Sequence, residues 1–282
     1  MKKFDFDYPI DIAWCPGCGN FSIRDTLIDA LQELDINQTD VVFSSGIGQA
    51  AKMPQYINAS YFNGLHGRAL PVAVAIKATN PNLTVIAEGG DGDMYGEGGN
   101  HFIHNIRRNS DITHLVHNNM VYGLTKGQAS PTSKKDFTTP VQVSGVTNEP
   151  FNPLSVALTL GATFVARTFS DEKELTKEII KQAINHKGYA LVDILHPCVS
   201  FNKINNFAWY KNNTYILEEN YDNSNLMDSM KVAMDTEKMA LGIIYKGKEQ
   251  LTFEKQLAVY QNNLTPISFR KRDLTSVNEL ID

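Results

Sequence analysis

Residues 83–119, LTVIAEGGDGDMYGEGGNHFIHNIRRNSDITHLVHNN, leave this chain few choices of fold. Leu83 to Ala87 is apolar and β-branched and reads as a strand, which a glycine-rich turn carrying Asp91 and Asp93 then breaks. An amphipathic helix follows through about Arg108, and Ile112 to His117 reads as a second strand ending in Asn118 and Asn119. Two parallel strands joined by a helix bring both carboxyl ends to one edge of a sheet, where open α/β folds bind ligands. Asp91 and Asn119 are therefore expected to face each other across one crevice. Gly89, Gly90 and Gly92 let the backbone approach an anion closely, and the start of the following helix offers free N–H groups to a phosphate. A carboxylate, an amide oxygen and a backbone carbonyl such as that of Val121 are hard ligands, suited to Mg²⁺ held against a diphosphate.

The rest of the chain repeats the alternation. Val41 to Ser45 reads as a buried strand that turns at Gly46-Ile47-Gly48, and ALPVAVAIKATNP reads as a helix. From Phe151 come a helix near Pro153 to Leu160, a strand at Thr163 to Ala166, a charged helix at Asp171 to His186 and a strand at Tyr189 to Leu195. Residues 1–200 are thus expected to form one α/β domain, an open, mainly parallel twisted sheet with helices on both faces. Residues 201–282 read as a C-terminal arm and extension that pack on the domain or on a partner, anchored by Trp209, Tyr210 and Tyr215, with KMALGIIYK and the tail to Asp282 adding a last strand and helix.

Two cysteines in WCPGCGN, Cys15 and Cys18, stand three positions apart in a Pro/Gly turn, so both sulfurs can ligate one metal centre. Zinc, thioredoxin-like redox chemistry, an iron–sulfur cluster and simple burial all use that spacing. His101, His104 and His117 have no acidic or thiol partner spaced to complete a metal site and read as structural.

Charge removes other classes. With 26 Lys and Arg against 31 Asp and Glu the net charge is −5, and no basic face is available to a nucleic-acid backbone. No run of about 18 apolar residues points to a membrane span. Three cysteines in a chain that opens without a secretory signal point to a reducing, cytoplasmic location.

GDG followed by NN, then a hydrophobic residue and YG, resembles the thiamine diphosphate motif. The longer runs GDGDMYGEGGNHFIHNIRRNSDIT and NNMVYGLTKGQASPT resemble the β subunit of 2-oxoacid:ferredoxin oxidoreductases, and the resemblance extends over about residues 10–210. It implies the diphosphate-binding half of the thiamine diphosphate fold. Mg²⁺ would be held by Asp91, Asn119 and the Val121 carbonyl, with Gly48, Gly90, Gly92, Asp93, Asn119, Tyr122, Gly123, Leu124 and Thr125 about the cofactor. Lys52 aligns with a basic residue beside the substrate carboxylate, and His66, in GLHGRALPVA, with a residue near the cofactor. The LTKGQASPT loop resembles the version found in enzymes for 2-oxoglutarate or a broad range of 2-oxoacids. Leu124 would touch the substrate side chain, and Lys126 would pair with a distal carboxylate.

The family's four-cysteine [4Fe-4S] site is matched at Cys15, Cys18 and Cys198, the last in HPCVSFN, whereas Gln49 stands where the fourth cysteine belongs. A three-thiolate [4Fe-4S] cluster, a [3Fe-4S] cluster, zinc on three thiolates plus one donor, and loss of the cluster with another exit for the electrons all remain open. The implied partners are an α subunit supplying the glutamate that activates the thiamine pyrimidine, ferredoxin, coenzyme A and a 2-oxoacid. The alternatives are pyruvate as main substrate, a non-oxidative thiamine decarboxylase, and a non-catalytic subunit that keeps only the fold.

Overall fold

A computed structural model describes residues 3–235, 237–271 and 275. Its strands are β1 (Val41–Ser45), β2 (Ser60–Asn63), β3 (Thr84–Gly90), β4 (Thr113–Asn118), β5 (Phe164–Phe169), β6 (Ala190–Leu195), β7 (Thr214–Ile216) and β8 (Met239–Lys246). They form one sheet in the order β2-β1-β3-β4-β6-β5-β8-β7. From β2 to β5 every neighbouring pair is parallel, and β8 then joins β5 antiparallel. Strands β4, β5 and β6 are buried along their whole length. This is the burial expected of parallel strands covered on both faces.

Two apolar layers cover the sheet. On one face α1 (Gly19–Glu33) and α5 (Lys173–Asn185) pack Ile23, Leu27, Ile179 and Ile180 against Phe43, Ile86, Leu115 and Val192. On the other, α2 (Ala69–Thr79), α3 (Gly99–Arg108) and α4 (Pro153–Thr159) pack Leu70, Phe102, Ile106 and Leu154 against Val85, Ala87, Val116 and Leu191. Each such side chain contributes about 1.5–3 kcal/mol on burial. The open, mainly parallel sheet with helices on both faces is the architecture expected of the motif.

The structure departs from the sequence reading at the motif's own turn. Gly89 and Gly90 lie in β3 rather than in a turn, and the chain then makes a wide π-helical turn over Gly92–Glu97 before α3 begins at Gly99. Glycines at its start allow close packing there. A Cβ on Gly92 would meet the Tyr122 ring at 2.1 Å, and one on Gly89 would meet Asp93 Oδ2 at 2.6 Å. Strand β2, four exposed residues at the sheet edge, carries no alternation that a sequence reading would catch.

The segment from residue 201 adds α6 (Phe207–Asn213), β7, α7 (Leu226–Met234), β8 and α8 (Phe253–Gln256). Tyr210 is fully buried against Phe169, while Tyr215 keeps 38% of its surface exposed. The last helix expected in the tail falls largely outside the described residues.

Candidate active site

The carboxyl ends of β1, β3, β4 and β6 open into one cleft of about 860 Å³, a volume that includes the open space at its mouth. Its lining brings together Cys15, Cys18, Gly48, Gln49, His66, Gly90, Asp91, Gly92, Asp93, Asn119, Val121, Tyr122, Gly123, Leu124, Thr125 and Cys198. Nearly every residue singled out in the sequence therefore meets at one place. The exceptions are the two lysines. Lys52, half-buried in the stretch Ala50–Tyr56, and Lys126, exposed with φ 72°, are not part of the lining.

Asp91 follows directly on the end of β3 and is buried. Its Oδ2 accepts from Ser130 Oγ and from Thr132 Oγ1, each at 2.5 Å. Burial raises its carboxyl to about 6, the two hydroxyls and the Gly92 N–H oppose the rise, and Asp193 adds to it. Behind it lies a buried chain of contacts. Thr132 Oγ1 is 2.9 Å from Asn118 Oδ1, Asn118 Nδ2 donates to Asp193 Oδ1 at 3.1 Å, and Arg167 Nε pairs with Asp193 Oδ2 at 3.0 Å. An anion placed under the site is thus matched by its own guanidinium.

The paired asparagines have a local cause. Asn118 Oδ1 accepts from the Met120 N–H at 3.3 Å and Asn119 Oδ1 from the Val121 N–H at 3.2 Å, across a left-handed Met120 with φ 59°. Side-chain oxygens that take backbone N–H groups in this way let a non-glycine residue hold such a turn. The turn carries Asn119 and Val121 into the cleft with Asp91. One carboxylate, one amide oxygen and one backbone carbonyl form the donor set that Mg²⁺ prefers. Around them the floor is open. A Cβ on Gly123 or on Gly48, at φ 128°, would meet no described atom within 4 Å, and one on Gly90 would touch only the His117 carbonyl at 3.9 Å. A diphosphate fits such a glycine-lined floor.

Asp93 does a different job. Its Oδ1 accepts from the Ile47 N–H at 3.1 Å and the Gly67 N–H at 2.7 Å, tying the loops after β1 and β2 to the turn after β3. His66 Nδ1 lies 2.9 Å from the same oxygen and 3.3 Å from Glu97 Oε2. The Tyr122 hydroxyl donates to Glu97 Oε2 at 3.0 Å, so His66, Glu97 and Tyr122 form one polar group at the cleft rim. Thr125 Oγ1 is engaged with Gln128 Oε1 in the same loop.

The same lining holds the thiols. Cys18 is the residue before α1, and burial pushes its thiol up to about 11, with Cys198 and Cys15 adding to the rise against a backbone hydrogen bond at Asn20. Ser200 Oγ donates to Cys15 Sγ at 3.0 Å and the Phe201 N–H to Cys198 Sγ at 3.4 Å. Among the described residues no three His, Cys, Asp or Glu side chains gather where a single ion would sit. Cys15, Cys18 and Cys198 share the lining of the cleft.

Residues 40–194 match the family model described as thiamine pyrophosphate enzyme, C-terminal TPP binding domain, and residues 198–262 match the model for the C terminal of the pyruvate ferredoxin oxidoreductase beta subunit. A 2-oxoacid:ferredoxin oxidoreductase subunit beta from Saccharolobus solfataricus is 42% identical over 259 residues, which span 87% of this chain and 85% of the relative. The chain belongs to the 2-oxoacid:ferredoxin oxidoreductase β-subunit family. Subunit beta of 2-oxoacid:ferredoxin oxidoreductase 2 from Aeropyrum pernix is 39% identical over 91% of this chain and 88% of its own length. A solved 2-oxoglutarate:ferredoxin oxidoreductase from Magnetococcus marinus, with 2-oxoglutarate, coenzyme A and succinyl-CoA bound, superposes at a TM-score of 0.91 and 35% identity. It covers 100% of this chain, which matches 96% of that one.

The chain is thus the β subunit of a thiamine diphosphate-dependent 2-oxoacid:ferredoxin oxidoreductase, and a β subunit implies an α-subunit partner. Sequence reading missed the supports of Asp91. The hydroxyls of Ser130 and Thr132 lie in SPT, within the motif, but nothing in the string says that they turn back 39 and 41 residues to one carboxylate. Asn20 and His117, which meet at 2.9 Å in the cleft wall across 97 residues, were equally out of reach.

Proposed function

We propose that this β subunit, together with its α subunit, carries out coenzyme A-dependent oxidative decarboxylation of a 2-oxoacid, with 2-oxoglutarate favoured, or the reverse carboxylation, and passes the electrons to ferredoxin. One observation carries the reading. A single cleft is lined both by an Mg²⁺-type donor set and by three thiols. The ligands of the Magnetococcus marinus relative support 2-oxoglutarate and coenzyme A as the reactants.

Asp91, Asn119 Oδ1 and the Val121 carbonyl would hold Mg²⁺, and Gly48, Gly90, Gly92 and Gly123 would admit the diphosphate. Bound thiamine diphosphate supplies the electron sink for the carbon that loses carbon dioxide. Tyr122 closes the cleft beside the turn after β3 and Leu124 offers an apolar rim to the substrate side chain. His66, beside Asp93 and Glu97, would approach the cofactor at that rim. Lys126, on the same loop as Leu124, would meet a distal carboxylate, and Lys52 would add positive charge behind the Gly46–Gly48 turn. Cys15, Cys18 and Cys198 would bind an iron–sulfur cluster that takes the electrons out. No helix among the described residues is long and apolar enough to cross a membrane. A cytoplasmic location suits the free thiols.

The test is anaerobic purification of the β chain with its α subunit, followed by assay of ferredoxin reduction and of acyl-coenzyme A formation. The reading requires both products to depend on 2-oxoglutarate and coenzyme A together, with the β chain inactive alone. Release of an aldehyde without coenzyme A and without reduction of an acceptor would put the enzyme among the non-oxidative decarboxylases.

A further inference from the structure

The thiol wall contains more donors than three sulfurs. Gln49 occupies the position of the missing cysteine, and its backbone carbonyl accepts from Trp14 Nε1 at 2.8 Å. Its side-chain Oε1 is buried and has no hydrogen-bond partner among the described residues. A neutral amide oxygen is a hard donor and suits sulfide-bridged iron poorly. Imidazole nitrogen is a proven ligand to iron in such clusters, as in Rieske centres.

The chain has seven histidines. Two of them line the cleft, His66 and His117, and His66 is held on the other side by Asp93 and Glu97. His117 ends β4 one residue before Asn118, is fully buried, and lines the cleft with Cys15, Cys18 and Cys198. Its Nδ1 lies 2.9 Å from Oδ1 of Asn20, in the first turn of α1 two residues after Cys18. An amide oxygen only accepts, so Nδ1 carries the proton and Nε2 carries the lone pair. That Nε2 is buried without a partner among the described residues. A buried acceptor left bare costs about 1–3 kcal/mol. A ring nitrogen that is oriented by a hydrogen bond on its far side, and free on its near side, has the arrangement of a metal-ligating histidine.

We infer that His117 is the fourth protein ligand of the iron–sulfur cluster, bound through Nε2 in place of the cysteine that position 49 lacks. The inference rests on the reading that Cys15, Cys18 and Cys198 hold a cluster. Asn20 is then a positioning residue that fixes the tautomer of the ligand, and Gln49 fills space. Three thiolates and a neutral imidazole leave the cluster one negative charge short of a four-thiolate site. A less negative cluster takes up an electron more readily, which raises its potential.

The test uses the αβ complex, purified anaerobically after growth with ¹⁵N-histidine or with unlabelled histidine, and reduced with dithionite. Iron and sulfide are measured first and pulsed EPR of the reduced cluster second. The inference requires a nitrogen coupling that changes with the histidine label, persists in Gln49→Leu and vanishes in His117→Leu. It also requires His117→Cys to retain iron and to move the midpoint potential lower. Iron at full content with no histidine nitrogen coupling, or a coupling that survives His117→Leu, overturns the ligand assignment and leaves the cluster standing. A native complex free of iron overturns the cluster reading and the ligand with it.

Discussion

The two walls of the cleft are built on opposite principles. Around Asp91 the ligand and its supports are answered within the chain: Asp91 by Ser130 and Thr132, Asn118 by Asp193, and Asp193 by Arg167 and Tyr95, while Asp93 Oδ2 nearby has no hydrogen-bond partner among the described residues. On the thiol wall Gln49 Oε1 and His117 Nε2 stand buried without partners among the described residues, and Cys18 is held as a neutral thiol by burial. Buried polar atoms are normally paired. Asp91 and its supports are therefore preorganised before anything binds, whereas Gln49 and His117 are satisfied only when a group with its own bonds meets them. On the proposed function, the side that would grip the diphosphate is held by the chain itself, and the side that would carry electrons takes its order from a bound cluster.

If the walls are separate in this way, single substitutions should strip one and spare the other. Asp91→Ala is expected to have the largest effect. Mg²⁺-dependent thiamine diphosphate affinity should fall more than ~100-fold, beyond the ~10–100-fold typical of losing an outer-shell partner, while iron content stays unchanged. Titration calorimetry and iron analysis on one sample check both halves. Cys198→Ser makes the converse cut, with loss of most of the iron and a thiamine diphosphate Kd within about twofold of the parent, the limit set by additivity of distant sites.

Thr132→Val removes one hydroxyl from behind Asp91 without touching a ligand. Mg²⁺ affinity should weaken by ~10–100-fold with the melting transition still cooperative. A loss as deep as that of Asp91→Ala would make Thr132 itself a ligand.

The raised carboxyl of Asp91 sharpens the same wall by pH. Only the ionised carboxylate holds a metal, so Mg²⁺ affinity should be flat above neutral pH and fall about tenfold per unit below a pH of about 6. Without metal the sign is opposite for stability. The folded state keeps a proton that the unfolded chain releases near pH 3.9. Asp91 therefore favours folding at low pH, and that contribution is lost as pH rises to about 6. Melting curves of the metal-free complex with Asp91 and with Asp91→Asn check this, since the variant should not show that loss.

The smallest effect belongs to the rim. Lys126→Ala should raise the KM for 2-oxoglutarate by about 2–5-fold, the worth of an exposed ion pair, and leave that for pyruvate unchanged. Equal changes for both substrates would deny Lys126 a part in reading the distal carboxylate.

Most of the fold was legible because its signals are local. Short apolar runs marked β1, β4 and β6, and the helical run ALPVAVAIKAT marked α2. The exposed strand β2 and the π-helical turn were not legible, since one has no buried face and the other packs against Tyr122, which arrives from 30 residues away. Likewise Asp91, Asn119 and the cysteines announce themselves by residue type and spacing. The groups that complete them do not, because Thr132, Asn20 and His117 have ordinary local contexts and gain meaning only when the sheet brings its strand ends together. Glu88, buried in β3 with neither oxygen bonded among the described residues and its carboxyl pushed well above the usual range by burial, belongs with these. We have no physical account of its selection.

The central claim, that one cleft holds both the thiamine diphosphate and the cluster, is tested most directly by stoichiometry. Iron, acid-labile sulfide and thiamine diphosphate should be measured on one anaerobically purified αβ preparation. The account requires one thiamine diphosphate per β chain together with about three to four iron and about four sulfide, the content of a [3Fe-4S] or [4Fe-4S] cluster. Thiamine diphosphate at full occupancy with no iron would contradict it, and would mean that the electrons leave the cleft by another route or not at all.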